Sequence, residues 1–544
     1  MGRNILKSSL DNAKFSIVFQ IIFRCITFIL NAFIIRVVGQ EVLGIMNVRL
    51  LLLESTLVFL SREPLLKACL TDTKSHNWTQ VINQFWLSVP ISAVLGIVLN
   101  YIWTDVLSTT DEHYLIQYRW GCYAIVVSCI IGQITHIPIL VSQSFCFVKL
   151  KVVFETIYIT VRTVTFVVLV LRDQNEAINA FSIAQLLSSL ILFALYYGFF
   201  YWYIEKKKTS PKSDLFKDMN DFKFESIRDF FPKIPKAQEA YVNKELCVLT
   251  VSFAKQSIVK QVLTEGERYV MSVSPVLTFS EQSMYDIVNN LGSLAARFIF
   301  RPIEESAYFY FTQMLRRDQS LSQQDKKCVV EAATVLSQLL KVVTSIGLVV
   351  IVFGYTYSHS LLYLYGGRIL TEDMLPTVLL RSHCFAVLLL AVNGVTECYV
   401  FATMDNKQLD RYNYIMVLFS VTFLLISYGL TNMFGPVGFI LANCFNMTAR
   451  IIHSVHFISN QYKTTKLLPL QGIVPGKVFI AALVVSGLVT SLSEGYVYQR
   501  SLLLHVGIGG VCFVITSLSW AYENKVLLKL GVEKYKRRQS VKLD

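Results

Sequence analysis

Positively charged side chains lie inside segments of the sequence that are otherwise apolar enough to cross a membrane. Those with the chemistry to bind an anion are Arg24, Lys260, Arg297, Arg301 and Arg450. A guanidinium stays charged and offers paired N–H donors that match the oxygens of a phosphate group. Each such charge facing lipid at the bilayer centre would cost about 3 kcal/mol on the mild insertion scale. We therefore expect these side chains to face water or protein, where they could hold a diphosphate.

Amide side chains accompany these cations at helical spacing. The first apolar segment carries Ser16, Gln20, Arg24 and Asn31, and the seventh carries Ser252, Gln256, Lys260 and Glu267 at the same spacings. Steps of four and seven residues keep side chains on one helical face. Because amides both donate and accept hydrogen bonds, they suit the hydroxyl groups of sugars. The matching patterns also predict two parallel six-helix repeats, a plan known among transporters.

The eighth apolar segment has the longest polar stripe. At 100° per residue, six polar residues fall within about 80° of one another on a regular helix: Asp286, Asn290, Ser293, Arg297, Arg301 and Glu304. The twelfth segment repeats the pattern with Asn443, Asn446 and Arg450. We expect both stripes, with the arginine of the first segment, to converge on one hydrated chamber.

Acidic residues also lie inside the apolar segments and offer another explanation of the charge. For Glu155 with Arg162, and for Glu265 with Arg268, we favour simple pairing over a functional role. Such pairing would offset the cost of burying each charge. The charged residues that we assign to gating or ion pairing are Glu265, Glu267, Arg268, Glu304 and Glu305.

The composition predicts an all-α polytopic membrane protein. Of 544 residues, 54% are hydrophobic and 16% are charged, and repeated apolar runs reach the roughly 20 residues that span a bilayer. We count about fourteen such segments. The net charge of +13 reflects Lys and Arg concentrated in the tails and even-numbered loops, whereas the other loops hold Arg119, Arg172, Arg368 and Arg500. This asymmetry predicts cytosolic termini and does not indicate nucleic-acid binding.

One polar segment divides the predicted helices. Residues 204–246 contain three consecutive lysines and several prolines among mixed charges, a composition typical of a cytosolic linker. The predicted organisation is an N-terminal six-helix lobe at 1–203, the linker at 204–246, a C-terminal six-helix lobe at 247–458, and two further helices with a basic tail at 459–544.

Catalytic and metal-binding motifs have little support. The sequence has no GxxxxGK[ST] loop for a nucleotide, no HExxH and no CxxC pair. We therefore predict neither enzyme activity nor a cofactor or metal. An amphiphile with a diphosphate-sugar head and a lipid tail would match both the cations and the amides. A multidrug exporter for cationic drugs would instead need an acidic cavity, which the excess of positive charge opposes.

Several long motifs resemble one known family. They are NAFIIR at 31–36, LTEGERYVM at 263–271, YDIVNNLGSLAARFIF at 285–300, PIEES at 302–306, NGVTEC at 393–398 and GFILANCFNM at 438–447. Over essentially the whole chain, the sequence resembles the eukaryotic dolichol-linked oligosaccharide translocation family, also called "requiring fifty-three". That family is similar to the multidrug, oligosaccharidyl-lipid and polysaccharide exporter superfamily.

The resemblance implies a fourteen-span, two-lobe fold like that of the bacterial lipid II flippases, in the endoplasmic reticulum membrane. It implies a mannose-bearing diphosphodolichol cargo, moved to the lumenal leaflet for protein N-glycosylation. The family's motif positions fall on Glu265, Glu267, Arg268, Asn290, Arg297, Glu304, Glu305, Asn443 and Asn446. A flippase that works by alternating access is the first hypothesis. A non-transporting accessory or scaffold protein of the same lipid pathway is the alternative.

Overall fold

The computed structural model is helical in nearly all the residues that it describes. These residues are 28–70, 77–107, 112–145, 147–209, 222, 224–234, 240–273, 277–317, 319–463, 465 and 467–525. Within them there is no strand, which confirms the predicted all-α membrane class. Two predicted site residues, Gln20 and Arg24, lie outside the described residues.

The chain divides into two compact units, Met1–Ser283 and Met284–Asp544. The helices of the first unit are α1 (Phe28–Val37), α2 (Gln40–Gly44, the π turn Ile45–Leu50 and Leu51–Leu70), α3 (Trp78–Trp86, Ser88–Tyr101 and the π turn Ile102–Val106), α4 (Glu112–Ser144), α5 (Val148–Arg172), α6 (Ala177–Thr209) and α7 (Lys244–Val273). Helix α6 packs against both α4 and α5, and α2 packs against α3, α4 and α7.

The second unit begins inside the next helix. Its helices are α8 (Phe279–Gly292, the π turn Ala296–Phe300 and Arg301–Met314), α9 (Lys326–Gly366), α10 (Leu375–Thr403), α11 (Asn406–Phe434), α12 (Val437–Tyr462), α13 (Lys477–Tyr496) and α14 (Leu502–Glu523). Helix α10 is central, because it packs against α8, α9 and α12. Helices α13 and α14 form a hairpin of their own beside α9.

Local sequence explains where several of these helices begin and end. Asp405 caps α11 by accepting from the backbone N–H of Gln408 at 2.7 Å, and Gln408 returns a bond to the Asp405 N–H. Ser501 caps α14 in a similar position. Gly367 and Gly435 follow the last residues of α9 and α11 with φ of 67° and 59°, a conformation that glycine adopts without steric cost.

Ten helices in the described part of the chain are long and apolar enough to cross a membrane. Helices α1, α7, α8 and α12 are not among them. These are the helices on which the sequence predicts the cationic and amide stripes, and in α7, α8 and α12 the polar residues interrupt the apolar composition. The chain is a multi-pass membrane protein, and the count of fourteen spans stays a prediction.

The eighth helix is not the regular α-helix that the predicted polar stripe assumes. A π turn occupies Ala296–Phe300, and Pro302 lies in the first turn of the segment that follows. Proline has no N–H to donate, and a π turn adds about one residue, so the helical register after it rotates by roughly 100°. The residues before the π turn and those after it therefore do not form one continuous stripe.

Part of the predicted linker is anchored to the first unit by aromatic side chains. Phe222, Phe224 and Phe230 are buried among the rings of α3, α4 and α6. The indole N–H of Trp86 donates to the carbonyl of Phe230 at 2.8 Å, and the Asn83 amide bonds the backbone of the segment. We call residues 222 and 224–234 the aromatic anchor. It holds the chain that leads into α7 against the first unit.

A carboxylate closes the turn of the aromatic anchor. Asp229 accepts from the backbone N–H groups of Glu225 and Ser226 at 2.8 and 2.9 Å, and the Lys233 ammonium contacts its other oxygen. Burial acts to raise the pKa of the Asp229 carboxyl, but these hydrogen bonds outweigh it and lower the pKa below its ordinary value. A lowered folded-state pKa means that this stabilisation is present above the ordinary carboxyl pKa and is lost as the pH falls through the lowered one.

We predict that Phe230→Ala releases the aromatic anchor, because truncating a buried phenylalanine costs about 3–5 kcal/mol. Hydrogen–deuterium exchange of residues 224–234 should rise in the purified protein. Ile234, which is 93% exposed in the same segment, provides the matched control Ile234→Ala. Equal exchange in the two variants would contradict an anchoring role for the ring.

Candidate functional site

A polar seam joins α2 and α7 and contains two of the three charged residues of LTEGERYVM, Glu265 and Arg268. Glu265 pairs with Arg268 at 3.2 Å, which confirms the predicted pair. The other oxygen of the Glu265 carboxylate accepts a hydrogen bond from Ser55 of α2 at 2.9 Å. The carboxylate is therefore neutralised by its own helix and hydrogen-bonded to the neighbouring one.

A second layer of hydrogen bonds continues this seam. The Tyr269 hydroxyl lies 2.7 Å from Thr56 Oγ1, and Gln261 donates to Tyr269 and Ser55 at 3.2 and 3.3 Å. The α7 residues Gln261, Glu265 and Arg268 follow one another at helical spacing. That spacing was a usable signal, but nothing in the sequence of α2 identified Ser55 and Thr56 as the partners.

The second unit contains a buried node around Glu397 of α10. Its carboxylate contacts the Arg450 guanidinium of α12, accepts from the Tyr412 hydroxyl of α11 at 2.8 Å, and accepts from the Asn393 amide at 3.2 Å. Three helices thus share one carboxylate. The polar stripe of the twelfth segment predicted that Arg450 faces an open chamber, whereas the structure pairs it with Glu397.

Another carboxylate packs against the same helix at the glycine of NGVTEC. A Cβ atom on Gly394 would lie 1.7 Å from Oε1 of Glu304, so any larger residue would displace that carboxylate. The Cys398 thiol donates to the backbone carbonyl of Glu304 at 3.3 Å. The motif therefore has a structural explanation: Asn393 and Glu397 build the node, while Gly394 and Cys398 hold α8 beside it.

Helix α12 presents polar atoms that have no hydrogen-bond partner among the described residues. They are Oδ1 of Asn446, Nε of Arg450 and Nδ1 of His453, all buried. Steps of four and three residues place these side chains on one face of α12. The His453 ring also stacks on Tyr412, with the ring centroids 4.8 Å apart. This face therefore combines a charged group with unfilled donors and acceptors.

Three predicted residues of α8 are exposed, whereas Glu304 is half-buried. Arg301 and Glu305 pair at 3.1 Å, yet their side chains are 72% and 69% exposed. Asn290 is also exposed and donates to Asp286 at 3.2 Å. Charged side chains cannot face hydrocarbon cheaply, so this surface of α8 requires water if the helix crosses a membrane.

The remaining predicted site residues divide into two groups. Asn31 is exposed on α1, Asn443 is half-buried on α12, and Glu267 is half-buried on α7. The positions whose side chains lie outside what the structure describes are Gln256, Lys260 and Arg297. Their backbones lie on α7 and on the π turn of α8.

One predicted pair is wrong. Glu155 contacts Lys151 at 3.6 Å, not Arg162, and Arg162 instead donates to the Gln185 carbonyl oxygen at 3.2 Å. Two helical turns separate Glu155 from Arg162, a rise of roughly 10 Å, whereas Lys151 is one turn away. The neighbouring helix α6 supplies the Arg162 partner.

The fold and these networks define a multi-pass, all-α membrane protein whose helices are joined by buried charged and hydrogen-bonded groups. Residues 8–534 match the Rft protein family, and the chain belongs to that family.

Its relatives are similar over nearly their whole length. The chain is 49% identical to Man(5)GlcNAc(2)-PP-dolichol translocation protein RFT1 of Drosophila melanogaster, covering 98% of each chain. It is 38% identical to the protein of the same name from Mus musculus, covering 100% of this chain and 99% of that one. The structure is similar to lipid II flippase MurJ in an inward closed conformation, with a TM-score of 0.58, 13% identity, and coverage of 94% of this chain and 100% of that chain. At this identity the likeness shows the fold alone.

We predict that Glu397→Gln destabilises the protein strongly, because it leaves the Arg450 charge without its buried partner. Removing one member of a buried pair costs about 3–5 kcal/mol. Glu305→Gln is the matched control, because an exposed pair contributes only about 0–1 kcal/mol. Thermal unfolding of the detergent-purified proteins measures both, and equal midpoints for the two variants would show that the Glu397 node does not stabilise the fold.

Proposed function

We propose that this protein moves a mannose-bearing oligosaccharide-diphosphodolichol from the cytosolic to the lumenal leaflet of the endoplasmic reticulum membrane. Family membership supports the proposal, because the relatives at 49% and 38% identity carry the name of that translocation activity. In this proposal both termini are cytosolic, and the protein works by alternating access and performs no covalent chemistry.

The observation that carries the proposal is the exposed charge on α8. Arg301 and Glu305 lie within the predicted eighth span, and about 70% of each side chain is open. In hydrocarbon such a surface would be unstable, whereas in a hydrated passage it could meet a charged headgroup. Because guanidinium groups recognise phosphate oxygens well, a diphosphate is the cargo group that this surface suits.

We assign the other predicted residues to three roles: binding the diphosphate, contacting the sugar and forming ion pairs. The diphosphate would be held by Arg24, Lys260, Arg297, Arg301 and Arg450. In that set Arg450 is already neutralised by Glu397, so its contribution is the unpartnered Nε rather than net charge. The sugar would contact Gln20, Asn31, Gln256, Asn290, Asn443 and Asn446. The ion-pair group of Glu265, Glu267, Arg268, Glu304 and Glu305 would stabilise alternative helix positions.

An apolar groove between α13 and α14 suits the lipid part of such a cargo. Its volume is about 920 Å³, and small side chains and glycine open its walls, including Ala481, Ala482 and Gly507. Most of the remaining lining residues are aliphatic, among them Val485 and Ile508. A long flexible polyprenyl chain is the occupant that we propose, since it gains dispersion contacts along such a surface and offers no polar group to satisfy.

Transport can be tested in proteoliposomes that contain the purified protein and a labelled glycolipid. We predict that Arg297→Ala and Arg301→Ala slow transbilayer movement roughly tenfold to a hundredfold, because a hydrogen bond to a charged group contributes about 1.5–3 kcal/mol. Arg368→Ala is the control, because Arg368 is exposed in the turn Gly367–Leu370 away from the predicted stripes.

Unchanged movement in Arg297→Ala would contradict the assigned diphosphate site. Absence of movement with the unmodified protein would contradict the activity itself. Glycolipid binding without movement would support the accessory or scaffold hypothesis instead.

A second prediction concerns the lipid groove. Gly507→Phe should fill the groove, because a Cβ at Gly507 meets no atom within 4 Å. Transbilayer movement of a long-chain glycolipid should then slow several-fold relative to that of a short-chain analogue. Gly510→Phe is the matched control on α14, because that glycine is equally open but does not line the groove. The same slowing for both chain lengths would contradict a tail-binding role.

A further inference from the structure

A polar cavity of about 510 Å³ lies inside the first unit, among α2, α4, α5 and α6. Its walls include Glu54, Arg62, Gln133, His136 and Glu155. None of these residues belongs to the cationic and amide set to which we assign the diphosphate and the sugar. The cavity is therefore a separate place where polar atoms of the membrane domain are open to a ligand.

A contact between Arg62 and His136 brings two N–H hydrogen-bond donors to this cavity. A guanidinium nitrogen of Arg62 contacts Nε2 of His136. Because arginine can only donate, Nε2 is the accepting nitrogen and the histidine carries its proton on Nδ1. The Nδ1 of His136 and the Nε of Arg62 are both buried, and neither has a hydrogen-bond partner among the described residues. The contact thus leaves two N–H donors unused.

Acceptors lie in the same cavity. Gln133 is 1% exposed, and its amide nitrogen donates to Ser61 at 2.9 Å while its carbonyl oxygen has no partner within the described part of the chain. The Glu54 carboxylate accepts from the Gln185 amide at 2.9 Å through one oxygen. A buried glutamine with an orphaned oxygen is costly unless a ligand or water completes its bonds.

The charges of the cavity balance. Arg62 and Lys151 supply two positive groups, Glu54 and Glu155 supply two negative ones, and Lys151 already pairs with Glu155 at 3.6 Å. A diphosphate would be repelled by the two carboxylates, and a cation would be repelled by the guanidinium and ammonium groups. A neutral ligand with many hydroxyl groups can donate to the acceptors and accept from the donors at once.

We propose that this cavity binds a saccharide ring. Its volume lies within the ordinary range for small-molecule sites, and aliphatic residues such as Leu51 and Ile159 cover the faces between the polar groups. Only the identity of the saccharide, a mannose unit of the glycolipid, rests on the proposed function. The cavity adds a second contact for the glycan: the cationic residues bind the phosphates, the amide residues contact part of the sugar, and this neutral cavity binds one saccharide ring.

A ligand in the cavity can directly affect the contact between α2 and α7. Ser55 lines the cavity and also donates to Glu265, the centre of the polar seam between α2 and α7. A ligand hydroxyl that competes for Ser55 would weaken that bond, so saccharide binding biases the contact between these two helices.

The decisive variant fills the cavity without removing any polar group. Gly132 lines the cavity, and a Cβ there meets no atom within 4 Å, so Gly132→Leu plugs the space without a backbone clash. Gly198→Leu is the matched control, because Gly198 is exposed on α6, is equally open, and lies away from the cavity. Saturation-transfer NMR of the full-length purified protein measures binding of methyl α-mannoside, with inorganic pyrophosphate as the charged probe.

We expect methyl α-mannoside to bind the unmodified protein and Gly198→Leu, and to bind Gly132→Leu at least about tenfold more weakly. Gln133→Leu should weaken binding in the same direction while Ser142→Ala, a buried change on α4 outside the cavity, should not. Absence of saccharide binding, binding that survives Gly132→Leu, or displacement of methyl α-mannoside by pyrophosphate would overturn the proposal. Binding of a free sugar is measured without transport, so its failure is distinguishable from failure of the proposed translocation.

Discussion

Every part of this structure depends on the cost of placing charge in a medium of low dielectric constant. A charged side chain in a membrane must meet an opposite charge, a set of hydrogen bonds, or water. The Glu397 node and the Glu265 seam satisfy this requirement with protein groups. The Arg301–Glu305 pair is largely exposed, so it requires water if α8 crosses the membrane. Charged side chains that have no protein cover therefore indicate where water must reach the protein.

Polar groups that have protein partners and polar groups that lack them play different parts in this membrane protein. Glu397 is shared by α10, α11 and α12, so separating these helices would expose a buried charge. Such a node therefore keeps the three helices together. The face of α12 that carries Asn446 and His453 adjoins that node, and its buried atoms without a partner among the described residues can accept or donate to a ligand or water. Rigidity and binding capacity thus arise from neighbouring residues.

The cavity in the first unit extends this argument to specificity. Phosphate and sugar differ most in charge, and a protein can separate them by building one charged surface and one balanced cavity. Gln133 and His136 supply an acceptor and a donor that no described side chain uses, within a cavity whose formal charges cancel. A glycolipid with a charged linkage and a neutral glycan presents both kinds of group. The charged surface and the neutral cavity would then bind different parts of one cargo.

Sequence alone determined the membrane class, the positions of most helices and the residues of α7 that carry charge, because these depend on composition and on contacts within one helix. The Glu265–Arg268 pair is of this kind, since its members are three residues apart. Tertiary structure decided the partners from distant segments: Glu397 for Arg450, Ser55 for Glu265 and Gln185 for Arg162. It also decided that α8 contains a π turn, which breaks the predicted stripe. Such partners depend on how helices pack, and a helical period carries no information about which neighbour a face will meet.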